Sequence, residues 1–125
     1  MNNTATLTHR GLTLKQLLVF DALTCLVTGL LLVTAALPLA TLLGLPQNLL
    51  FYAGVVLFPC AALMAVAART GARALVWLVI LGNFAWALAS VAVAWMFEPT
   101  TVGMTFILAQ AALVAGLGWM ELRAR

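Results

Sequence analysis

Four long runs with almost no charge, at about 16–37, 49–68, 74–97 and 102–120, leave this chain few folds to choose from. At ~1.5 Å per residue, each run as a helix covers a hydrocarbon core of about 30 Å. In that medium every backbone N–H and C=O must be satisfied within the segment or in a closed barrel. Barrel strands alternate polar and apolar residues over roughly ten positions, and these runs do not alternate. The expected fold is therefore an all-α membrane protein, an antiparallel bundle of four transmembrane helices. The 66% hydrophobic and 7% charged content agrees, since a soluble domain carries roughly 45–50% and ~25%. Residues 1–13 read as a polar cytoplasmic tail and 14–125 as a single four-helix transmembrane domain. The 125 positions leave no room for a separate extramembrane catalytic domain.

The connections suit antiparallel neighbours. "RTGAR", Arg69 to Arg73, is a tight basic turn in which Gly71 can end a helix. "EPTT", Glu98 to Thr101, places a proline before threonines able to cap the fourth span. "PLATLLGLPQN", Pro38 to Asn48, is longer and too apolar for a solvated loop, so a short segment lying in the interface is expected there.

Orientation follows from the basic residues, because short cytoplasmic loops collect Lys and Arg. Arg10 and Lys15 precede the first span, Arg69 and Arg73 separate the second from the third, and Arg123 and Arg125 follow the fourth. All fall on one side, which predicts cytoplasmic termini. The same distribution accounts for the net charge of +3 without a nucleic-acid partner. A secretory signal is a poorer reading of the first run, which is longer than the ~7–15 residues of a signal's apolar region and contains Asp21.

The sequence has no catalytic motif that would make it an enzyme. Cys25 and Cys60 lack C-x-x-C spacing, and His9 is the single histidine. The chain thus offers no imidazole pair for haem or metal, and no cofactor is expected. Phosphate-binding glycine loops and Ser/His/Asp sets are missing as well.

What remains is a set of intramembrane polar residues. Asp21 costs up to roughly 2.5–3.5 kcal/mol at a helix centre, so its placement needs a reason. Thr24, Cys25 and Thr28 fall on the Asp21 side of the first helix, opposite Val19, Leu23, Leu26, Val27 and Leu30. In the third span Trp86, Ala87, Ser90 and Ala94 lie near Asn83, and Trp77 and Trp95 read as interfacial anchors. In the fourth span Gln110, Val114, Leu117 and Glu121 form one stripe, and Ala112, Ala115 and Gly116 another; either could point inward. Counting depth from the cytoplasmic ends, Asp21, Asn83, Trp86 and Gln110 should converge on one polar cluster, with Thr24, Cys25 and Ser90 at its edge.

The layout, with "PLATLLGLP" after the first span, a basic turn after the second and "GNFAWALAS" in the third, resembles the uncharacterised small bacterial four-span integral membrane proteins. It is also loosely similar to the DoxX-like group. The resemblance implies a multi-pass protein of the bacterial cytoplasmic (inner) membrane. The small multidrug resistance transporters share four short spans with an acid in the first, but theirs is a glutamate in a different motif.

Two functional expectations lead, ahead of a membrane enzyme acting on a lipid or quinone, for which no nucleophile and base pair is apparent. One is a structural or accessory membrane protein, homo-oligomeric or part of a larger complex, with the cluster around Asp21 as an internal latch. The other is a small transporter or lipophilic-ligand binder that uses Asp21 as an intramembrane proton or cation site.

Overall fold

A computed structural model describes residues 13–125. The expected cytoplasmic tail, with His9 and Arg10, lies almost wholly outside the described residues. Five helices follow one another: α1 Leu14–Thr34, α2 Ala36–Leu43, α3 Gln47–Thr70, α4 Arg73–Phe97 and α5 Thr101–Ala124. Of these, α1, α3, α4 and α5 are each long and apolar enough to cross a membrane. They form the expected four-span antiparallel bundle.

Helix ends follow local chemistry. Thr13 caps α1 in a capping box with Gln16, each side chain bonding the other's backbone N–H. Pro38 has no N–H for the Thr34 carbonyl, so the first span breaks at Ala35 and not at Leu37 as the hydropathy suggests. The short α2 then carries the chain across the non-basic end of the bundle. Thr100 caps α5 by accepting from the Gly103 N–H. The same Thr100 also ties down the end of α2, its N–H donating to the Leu43 carbonyl and its Oγ1 to that of Leu42. Two carbonyls that a helix C-terminus would leave orphaned are thereby satisfied.

The bundle is built as two tight pairs. α1 packs closely on α3, and α4 on α5, whereas the pairs touch one another more sparsely. The α1–α3 contact centres on Gly29 and Gly54. A Cβ on Gly54 would lie 2.8 Å from the Leu32 Cβ and 3.0 Å from the Gly29 carbonyl oxygen. Lacking side chains there, the backbones approach closely, which in lipid replaces the missing hydrophobic drive between helices. Gly103 plays the same part under α2, where an added Cβ would run into the Leu43 carbonyl.

Side chains left uncovered by protein include the α1 face opposite Asp21, Val19, Leu23, Leu26, Val27 and Leu30, and on α4 Leu81, Leu88 and Trp95. On α5 the choice between stripes is settled. Gly103, Ile107, Ala111, Leu117, Gly118 and Glu121 are buried, while Ala112 and Gly116 face outward.

The close crossing gives a direct test. Gly54→Leu should force α1 and α3 apart and cost about 1–3 kcal/mol in detergent unfolding. Gly116→Leu, where an added Cβ meets nothing within 4 Å, should leave the unfolding midpoint near that of the parent.

Candidate functional site

Three polar side chains are buried among the described residues, namely Asp21, Asn83 and Glu121, at 2%, 4% and 0% exposure. They come from α1, α4 and α5 and meet in one place. Asn83 Nδ2 donates to Asp21 Oδ2 at 2.7 Å and to Glu121 Oε1 at 2.9 Å. A primary amide carries two N–H donors, and both are used. Gly118, a turn before Glu121, sits against the Asn83 Cβ and the Phe84 ring, so α5 can come close enough for the second bond.

Among the described residues no cation completes this group. Lys15, Arg69, Arg73, Arg123 and Arg125 are all exposed. The Arg125 guanidinium lies 4.4 Å from the centre of the Trp77 ring and that of Arg123 6.0 Å from the Trp119 ring. These two basic groups rest on aromatic faces at the basic end of the bundle instead of reaching inward. Glu121 Oε2 is buried without a hydrogen-bond partner. Asp21 Oδ1 has none of the side-chain hydrogen bonds formed among the described residues; its carboxyl is engaged there through Oδ2.

A second polar pair lies deeper. Trp86 Nε1 donates to Gln110 Oε1 at 3.1 Å, and Gln110 Nε2 donates back to the Ile107 carbonyl of its own helix at 3.0 Å. The single cluster expected from depth is therefore split in two, with Asp21 and Asn83 in one part and Trp86 and Gln110 in the other. The reason is the length of α5. It runs on to Ala124, about a turn beyond the expected end of the span, which moves Gln110 away from the basic end and brings Glu121 within reach of Asn83. Thr24 and Ser90, expected at the cluster's edge, spend their hydroxyls on the carbonyls of Asp21 and Trp86 in their own helices, each at 2.8 Å. Cys25 pairs its sulfur with that of Met64, 3.6 Å away.

Both polar pairs open on one cavity. It occupies about 490 Å³ between the α1–α3 and α4–α5 pairs and is lined by all four spanning helices. Asp21, Thr24, Ser90, Asn83, Trp86 and Gln110 contribute to its wall; most of the remaining lining is leucine and other apolar side chains. Volumes of ~300–1,000 Å³ are typical of small-molecule sites. An apolar occupant suits most of its wall.

Glu121 is the residue that sequence reasoning left out of the cluster. The 3.6-residue stripe through Gln110, Val114 and Leu117 does reach it, but the span expected from hydropathy ends at Met120, one residue short of it. Among the described residues no group of three or more His, Cys, Asp or Glu side chains is placed to hold a metal ion. No family model, curated protein or solved structure matches the chain.

Removing the shared donor is the sharpest probe of this geometry. Asn83→Leu should destabilise the bundle by about 3 kcal/mol or more, because two buried carboxyls lose their partner together. Trp86→Phe, which gives up one neutral bond, should cost about 1 kcal/mol; reversible unfolding in mixed micelles measures both.

Proposed function

We propose that this chain is a small accessory protein of the bacterial cytoplasmic membrane, in which the Asp21–Asn83–Glu121 cluster latches α1 to the α4–α5 pair. The observation that carries this reading is the double donation from Asn83 Nδ2 to carboxyls on two other helices. It bridges the seam at which the two helix pairs otherwise meet sparsely. A latch of this kind restrains the rotation of α1 about its own axis, because a carboxyl turned toward lipid would lose its bond to Asn83. The outward-facing Ala112 and Gly116 support association with a second copy or a larger membrane complex, since small residues let helices approach closely.

Membrane identity and orientation rest on the basic residues of the sequence and on the likeness in layout to DoxX-like four-span proteins. A single cysteine placed at Gly71 in a Cys25→Ser, Cys60→Ser background should be labelled by impermeant maleimide only from the cytoplasmic side. One placed at Glu98 should react only from the outside.

A second reading is favoured by a specific observation. The cavity of about 490 Å³ touches Asp21 and Asn83 as well as Trp86 and Gln110, which suits a small transporter or binder of lipophilic molecules. The latch and the binder are compatible, for the same Asp21 can hold Asn83 through one oxygen and face the cavity with the other.

A double-mutant cycle tests the latch. Asp21→Ala and Asn83→Ala should show a coupling of about 1–2 kcal/mol in unfolding free energy, at or above the usual interhelical bond in lipid. Additive effects would reject it.

A further inference from the structure

We infer that the cavity between the helix pairs is a binding site for a lipophilic ammonium, its charged head on Asp21 and its apolar body along the leucine-lined wall. The inference rests on the ligand-binding reading above and names the chemistry of the ligand.

Three features of the site converge on it. The first is charge. Asp21 and Glu121 are both buried, and the described basic side chains all lie exposed. A positive head would supply the missing counter-charge in a medium where an uncompensated carboxylate is costly. The second is hydrogen bonding. Asp21, which lines the cavity, accepts from Asn83 through Oδ2, and its Oδ1 takes part in none of the side-chain hydrogen bonds formed among the described residues. That leaves an acceptor at the cavity wall for an ammonium, a group made only of donors. A neutral alcohol would bring one donor and no charge, and an anion would worsen both deficits. The third is shape. The cavity reaches Asp21 and Asn83 at its polar end, and its volume of about 490 Å³ suits a body of drug or short-chain size. Trp86 contributes to the same wall, and an indole face favours a cation. Glu121 does not line the cavity; its Oε1 accepts from the same Asn83 amide that holds Asp21.

An ammonium of this kind has two sources, a free lipophilic amine or the ethanolamine head of a membrane lipid. The chemistry at Asp21 is common to both, and the experiment separates them.

The test uses the full chain in nanodiscs of phosphatidylcholine, titrated calorimetrically with decylammonium and with decanol, with partition into empty discs subtracted. Decylammonium should bind saturably, and decanol about tenfold or more weaker. Asp21→Asn should weaken decylammonium by about tenfold or more and leave decanol unchanged. Gly82→Phe should block both, because it fills the cavity wall at a position where an added Cβ meets nothing within 4 Å. Loss of decylammonium binding in discs containing phosphatidylethanolamine assigns the site to a lipid head, and retention assigns it to a free amine. Equal binding of decanol and decylammonium, or an unaffected Asp21→Asn, overturns the inference. In that case a pocket still blocked by Gly82→Phe leaves the ligand-binding reading standing. If neither probe binds saturably, that reading falls as well. Should Asp21→Asn fail to fold, the comparison of amine with alcohol on the parent protein decides alone.

Discussion

One amide group, the Nδ2 of Asn83, donates to two carboxyls carried by two other helices. In water such a group would be replaceable, because each carboxyl could turn to solvent. Within a bilayer the alternative to Asn83 is an unsatisfied acid among hydrocarbon, so the rotation of α1, α4 and α5 about their own axes is constrained by one side chain. The lipid-facing surfaces follow from that rotation. With Asp21 turned inward, Leu23, Val27 and Leu30 are left facing out.

The apolar contacts act differently. They set how closely helices approach, and they do so within pairs. Gly29 and Gly54 bring α1 against α3, while Thr100 and Gly103 seat α2 on the start of α5 at the opposite end of the bundle. Between the pairs there is less small-residue contact, and there the cavity opens. Tight pairs with a loose seam are an arrangement in which space for a ligand can exist without loosening any single helix. The polar latch crosses that seam near the basic end, and the Trp86–Gln110 bond lines the seam deeper in the bundle on the α4–α5 side.

The two functional readings draw on the same atoms. Asp21 holds Asn83 through Oδ2 and borders the cavity. A residue that both fastens helices and faces a pocket couples occupancy of the pocket to the packing of the bundle, since a head group on Asp21 alters the charge that Asn83 must satisfy. For an accessory protein this would couple a bound molecule to its own shape, and for a transporter it is a minimum requirement.

Much of the fold is legible in the chain itself. Four charge-poor runs separated by a basic turn, a proline–threonine turn and an apolar segment are enough for the four-helix architecture. The facing of α1 can be read from Asp21, Thr24, Cys25 and Thr28, because helical periodicity is a local property. Tertiary structure alone decided which residues of different helices meet. Asp21 and Glu121 are a hundred positions apart, and their common partner depends on where α5 ends, how near Gly118 lets it come, and how α1 sits on α3. A single missing N–H, at Pro38, ended the first span before its hydropathy did. The cavity was likewise invisible in the sequence, since it is a gap between pairs and no stretch of residues encodes a gap. Periodicity tells each helix which way to face, whereas the partner it finds there is set by distances that only the packed bundle defines.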